Sequence, residues 1–231
     1  MRQIVLDTET TGINPKEGHR IIEIGCVELV NRKLTGNHYH VFINPQRIVE
    51  EEAVRIHGIT NEYLEDKPLF AEVAQAFLAF VKGAELVIHN AAFDVGFINH
   101  EFGLLNPIIK PVDSVCGVVD TLAMAREKHP GQKNNLNALC KRYGIDNGHR
   151  TLHGALLDAE ILADVYLLLS GGQTDLALDA NKDRPKGASG IRRINGSSAL
   201  HVVKASNEEL SEHAKYLESM SKNCESTVWT S

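Results

Sequence analysis

The sequence predicts an α/β domain with a mixed five-stranded sheet flanked by helices, plus a flexible C-terminal tail with a short helical segment. Three observations predict it. Three strand-like segments come first, and helical segments then alternate with two further strands, the order of a sheet covered by helices. The chain has 231 residues, 43% hydrophobic and 23% charged, an ordinary globular balance. At roughly 150 residues per domain, that length holds one full domain and an appendage. The composition changes after Leu169, where large apolar residues thin out.

Residues 3–6 form a short β-branched apolar run, the signature of a buried strand. Residues 20–30 and 39–43 read as two more strands, joined by a hairpin-like turn over 31–37. Residues 69–82 carry Val73, Ala76, Phe77 and Phe80 at helical spacing, and Gly83 stops the helix. Residues 86–89 read as a fourth strand and 93–102 as a helix. Val118 and Val119 lead a short fifth strand into a helix near 121–128. Residues 135–143 form a helix closed by Gly144. The strongest helix spans 154–169, where Leu156, Leu157, Ile161, Leu162 and Val165 make a broad apolar face. Gly171 and Gly172 break it. Residues 181–198 are polar and read as a flexible linker. Helical spacing returns over 206–220 through Leu210, Ala214 and Leu217, with Ser206 and Glu209 suited to a capping box.

The formal net charge of −6 comes from 24 basic and 30 acidic residues. It excludes a protein that coats nucleic acid through surplus Lys and Arg. From Gln173 onward the count is eight of each sign, so the first 172 residues carry the whole excess, 16 basic against 22 acidic. Such a domain either repels phosphate or holds metal ions. Cys26, Cys116, Cys140 and Cys224 show no C-x-x-C spacing and read as free thiols. The first apolar run stops at Asp7, so no signal peptide is expected, and no stretch approaches the roughly 20 apolar residues of a membrane span. The cytoplasm is the simplest compartment.

The segment Asp7-Thr8-Glu9-Thr10-Thr11-Gly12 ends the first strand. Side chains alternate along a strand, so Asp7 and Glu9 share a face, and two carboxylates there can grip hard cations. Asp94, in His89-Asn90-Ala91-Ala92-Phe93-Asp94, follows the fourth strand and opens a helix. It reads equally as a helix cap and as a third site carboxylate. Asp158 interrupts an apolar helix, and a carboxylate buried there needs a cation or hydrogen bonds. His153 stands five residues earlier, at the helix start, within reach of the same place. His149 and His153 mimic a zinc pair at helical spacing, but no further His or Cys completes it.

The segments DTETTG at 7–12, HNAAFD at 89–94 and HGALLD at 153–158 resemble, in this order, the DEDDh family of 3′-to-5′ exonucleases. A related subclass has Tyr four residues before the last Asp; here that residue is Gly154. The first 170 or so residues and the layout of the tail are similar to the proofreading members that serve bacterial replicative DNA polymerases. The resemblance implies a ribonuclease H-like sheet and two Mg²⁺ or Mn²⁺ ions held by Asp7, Glu9, Asp94 and Asp158. It implies His153 as the general base toward the attacking water, and nucleoside 5′-monophosphates as products. The DNA 3′ end, single-stranded or frayed, would lie against Asp7, Thr8, Glu9, Thr10, Glu52, Ile56, His57, Phe93 and Asp158. Ile56 and Phe93 read equally as core residues.

Three regions follow: an exonuclease domain over 1–172, a linker over 173–205, and a polymerase-binding segment over 206–231. Gln173, Leu176 and Leu178 match three positions of a six-residue sliding-clamp motif, while Thr174 departs from its apolar second position, so weak binding is expected. The last segment holds Leu210, Leu217, Met220, Val228 and Trp229, and by resemblance its partner is the polymerase catalytic (alpha) subunit. A small accessory subunit is known in some relatives. Two alternatives remain at this stage: an exoribonuclease trimming RNA 3′ ends, and a non-enzymatic adaptor between clamp and polymerase. DNA against RNA substrates separates the first, and metal-dependent release of monophosphates the second.

Overall fold

The computed structural model describes residues 1–105, 110–148, 152–171 and 205–223. The chain divides into two units, Met1–Ala177 and Leu178–Ser231.

The first unit begins with three long strands, β1 (Arg2–Thr10), β2 (Ile21–Val30) and β3 (Lys33–Phe42). Two short helices follow, α1 (Glu51–His57) and α2 (Asn61–Leu64), then α3 (Phe70–Val81), β4 (Glu85–Ile88) and α4 (Ala91–Leu105). β5 (Gly117–Asp120), α5 (Thr121–Lys128), α6 (Leu136–Tyr143) and α7 (Ala155–Leu169) complete it. The five strands lie in the order β3-β2-β1-β4-β5. β1, β2 and β3 pair antiparallel, whereas β4 runs parallel to both β1 and β5. This is the predicted mixed sheet.

Alternation along β1 divides the core. Ile4 and Leu6 face Phe77, Phe97 and Phe102 of α3 and α4. Val5 faces Ala159, Leu162 and Tyr166 of α7 on the other side. The opposite face of α7 carries Ile161, Val165 and Leu169 onto Ala125, Leu139 and Cys140. Contact on two sides explains why α7 is apolar nearly all round. Its C-terminal carbonyls are capped by cations, Arg32 on Leu167 O and Lys128 Nζ on Leu169 O.

β1 and α4 run past their expected limits of 3–6 and 93–102, and two further differences are larger. The turn predicted over 31–37 contracts to Asn31 and Arg32, both left-handed with φ of 50° and 64°, and Val30 pairs directly with Lys33. Such a two-residue turn matches strand twist, so β3 starts six residues early. It forms the sheet edge and is mostly exposed, which hides the apolar run expected of a strand. Helices α1 and α2 were not expected, because α1 buries only His57 and α2 only Leu64.

Cys26, Cys116 and Cys140 are buried; Cys224 lies outside the described residues. No helix among the described residues is long and apolar enough to cross a membrane. In the second unit, α8 (Asn207–Asn223) carries the expected capping box: Ser206 Oγ accepts from Glu209 N–H, and Glu209 Oε2 accepts from Ser206 N–H. Leu210 and Tyr216 are exposed on it.

Candidate active site

β4 accompanies β1 only from Gln3 to Leu6, and at Ile88 it turns away into α4. β1 continues four residues further, held on its other side by β2. The gap beside residues 7–10 lies where parallel strands end in a sheet, the usual place for a site. Asn90 makes the turn with a left-handed φ of 68°, unusual for a residue other than glycine. A register shift between Glu9 and Thr10 ends the regular ladder just past the acids.

Asp7 and Glu9 follow Val5 on the α7 side of β1, as alternation requires. Asp158 stands in the first turn of α7 and is buried. Its approach depends on Gly25, which pairs with Asp7 across β1 and β2. A Cβ at Gly25 would lie 2.2 Å from the backbone of Ala155 and Leu156, so only glycine lets α7 begin this close to the sheet. His153 precedes the helix, with Nδ1 3.4 Å from Asp158 Oδ2. Ligand atoms of Glu9, His153 and Asp158 all lie within 4.8 Å of one another.

Asp94 comes from the other side of the sheet. It stands inside the first turn of α4 rather than at its cap. Thr8, on the α3–α4 face, donates its hydroxyl to Asp94 Oδ1 at 2.7 Å. Burial pushes the Asp94 carboxyl up to about 7, against the Thr8 hydrogen bond, which lowers it. A buried carboxylate this reluctant to ionise suits a place where a cation supplies the missing charge.

The five predicted residues Asp7, Glu9, Asp94, His153 and Asp158 line one cavity of about 420 Å³. Asn90, Asn135 and Asn137 line it too and were not foreseen. Asn90 lay inside a motif already singled out, but no spacing pointed to the other two. His89 also reaches the wall. His89 Nδ1 lies 3.0 Å from the Thr121 hydroxyl, which also reaches Ile88 O, so the ring braces the end of β4.

A second cavity of about 280 Å³ adjoins the first and shares Thr8, Glu9 and Phe93 with it. Thr10, Glu52, Ile56 and His57 line it, all sequence-predicted, together with Ile13, Glu50 and Ala53, which were not. Ile56 is 53% exposed and Phe93 half-buried, so Ile56 is no core residue, while Phe93 also packs on Phe97. His57 is buried. Its Nδ1 accepts from Ile59 N–H, which places the proton of the neutral ring on Nε2. That Nε2 is buried, beside the Thr10 backbone. Burial holds the His57 pKa below its ordinary value and keeps the ring neutral.

The rim is braced by buried polar contacts. Thr11 pairs with His19 Nδ1 and accepts from Arg20 N–H. Arg20 forms a bidentate pair with buried Glu101 of α4, at 2.7 Å for each bond, which raises the arginine pKa. Gln173, Leu176 and Leu178 of the clamp motif, His149, and Val228 and Trp229 of the tail lie outside the described residues.

A family model described as Exonuclease matches residues 4–166. The protein called DNA polymerase III subunit epsilon in Salmonella typhimurium is 54% identical, over 99% of this chain and 97% of its own length. Its namesake in Escherichia coli K12 is 53% identical over the same shares. Among solved structures, Exonuclease X in complex with 5′ overhanging duplex DNA superposes with a TM-score of 0.55 at 27% identity, covering 74% of this chain and 94% of that one. An E. coli Exonuclease I complex with a dT13 oligonucleotide shares the fold, with a TM-score of 0.63 at 19% identity over 74% of this chain and 41% of that one.

Proposed function

This chain belongs to the exonuclease family, and from that membership we propose that it is the 3′-to-5′ proofreading subunit of a bacterial replicative DNA polymerase III. It removes mismatched 3′-terminal nucleotides as 5′-monophosphates. The observation that carries the reading is the pair of adjoining cavities: one gathers four carboxylates with His153, the other is lined by Ile56, His57 and Phe93. A scissile phosphate belongs in the first and a terminal nucleoside in the second.

Asp7, Glu9, Asp94 and Asp158 are the residues that would hold two Mg²⁺ or Mn²⁺ ions. The clustering of Glu9 with Asp158 and the raised pKa of buried Asp94 fit a site made for cations. When bound, the ions supply charge neutralisation for the phosphodiester and acidify an attacking water. His153 takes the proton from that water; its side chain is 45% exposed, so the proton can pass on to solvent. Phe93 and Ile56 hold the terminal base by stacking and apolar contact, which tolerate any sequence. His57, with its proton on Nε2, borders the same nucleotide. Glu52 borders the sugar, and Thr8 and Thr10 the strand end.

The partners are the DNA 3′ end, the polymerase catalytic (alpha) subunit through residues 206–231, and the sliding clamp weakly through Gln173, Leu176 and Leu178. A small theta-like accessory subunit, known in some relatives, would bind the exonuclease domain where one is present. The setting is the cytoplasmic replisome. Tethering raises local concentration, so an acidic domain needs no tight grip of its own on DNA.

The test is metal-dependent release of 5′-monophosphates from a primer with a mismatched 3′ end, beside a paired DNA end and an RNA end. The expected order is mismatched DNA, then paired DNA, then RNA. Asp7→Ala and Asp158→Ala abolish release while the fold persists, and His153→Ala lowers it about 10²–10⁴-fold. Full activity of Asp7→Ala in Mg²⁺ overturns the mechanism, and preference for RNA overturns the substrate.

A further inference from the structure

The strand of chain that carries His153 is fastened to α1. His153 N–H donates to the Ile56 carbonyl at 3.1 Å. One residue earlier, Leu152 lies against Gly58, where an added Cβ would stand 2.5 Å from Leu152 Cδ1. Gly58 caps α1 in the left-handed region, with φ of 74° and its N–H on Val54 O. Ile56 and His57, the last residues of α1, line the nucleoside cavity. One short helix therefore borders the nucleoside and meets the loop of the general base.

Leu152 is 48% exposed, too open to act chiefly as core. Its methyl group instead fills the space that the missing side chain of Gly58 leaves open.

We propose that Leu152 is a positioning residue whose contact with Gly58 latches the His153 loop onto α1, so that the helix receiving the 3′ nucleotide also sets the general base. The proposal rests on the assignment of His153 above. α1 buries only His57, so a nucleotide seated on Ile56 and His57 adds to what holds the helix, and through the latch to what holds His153. Losing the latch lets the imidazole leave its productive position while the binding cavity stays intact. The loss then falls on kcat and not on KM.

The experiment measures kcat and KM of the full chain on a mismatched primer in Mg²⁺, for Leu152→Ala and Leu152→Met, each alone and in a His153→Ala background. Leu152→Ala is expected to lower kcat about tenfold, less than the ~10²-fold that a 1 Å misplacement costs, with KM within about twofold. Leu152→Met restores most of the rate, because its flexible side chain still reaches Gly58. With His153 already removed, Leu152→Ala adds no further loss, since it acts only through that residue. A wild-type kcat for Leu152→Ala, or an undiminished loss in the His153→Ala background, overturns the latch alone. Full activity of His153→Ala overturns the base assignment and the latch with it.

Discussion

Gly25→Ala tests how the fold places the chemistry. The added methyl would stand 2.2 Å from Ala155 C and Leu156 N and 2.4 Å from Leu156 Cα, all backbone atoms that cannot rotate away. Ordinary contact begins at 3.4 Å, so the first turn of α7 has to retreat by roughly 1 Å. That turn carries Asp158, follows His153, and faces Asp7 across Gly25. A 1 Å misplacement of reacting groups costs on the order of 10²-fold in rate. Overpacking at a buried contact costs about 1–3 kcal/mol in stability. For a chain of this length, that lowers the melting temperature by a few to about ten degrees. The assay is the initial rate of monophosphate release at saturating Mg²⁺, beside a thermal melt at the same pH. The expected result is a loss of about 10²-fold or more from a protein still folded at the assay temperature. A variant within about threefold of the wild-type rate would refute the argument. A variant that melts early but keeps its rate would separate packing from catalysis and sink the proposed link.

Two further outcomes follow from Asp94 and the tail. In chelator, Asp94 has a folded pKa of about 7, above its unfolded value, so the folded state holds a proton that the unfolded state has lost. The associated stability is fully present below the unfolded pKa and is lost as pH rises through the folded value, amounting to about 2 kcal/mol between pH 5.5 and 8. Metal-free melts of wild type and Asp94→Asn should therefore converge only below the unfolded pKa, and the advantage of the variant should widen by about 2 kcal/mol from pH 5.5 to pH 8; parallel profiles over that window would contradict the burial argument. Ending the chain at Leu178 should preserve nuclease activity and abolish co-elution with the polymerase catalytic subunit, and unchanged co-elution would contradict the role assigned to the tail.

The elements easiest to read from the residues were those whose environment leaves one period. α3, with Val73, Phe77 and Phe80 on one stripe and Gly83 after it, lies one residue inside the predicted limits at each end. α5 matches its predicted span because Asp120 caps it, accepting from Leu122 N–H and Ala123 N–H. α1 escaped because it sits on the surface beside the smaller cavity, and its apolar Ile56 faces out rather than into the core. Asn135 escaped for a related reason. Its side chain accepts from Ala138 N–H as the cap of α6, an ordinary local role that gives no sign of the cavity it borders.

The residues alone determine which polar groups stand out along the chain and which of them share a strand face. Asp7 and Glu9 fall on one side of β1 because side chains alternate with a period of two, and a lone carboxylate in the apolar helix α7 demands compensation. Those are local rules, and no long-range contact is needed to apply them. Only the tertiary structure decides that four acids separated by up to 151 positions in the chain meet at one place. That meeting depends on β4 leaving β1 at Ile88, on the absence of a side chain at Gly25, and on α1 reaching across to His153. Each is a contact between distant segments, set by packing and strand pairing that no short window of sequence contains.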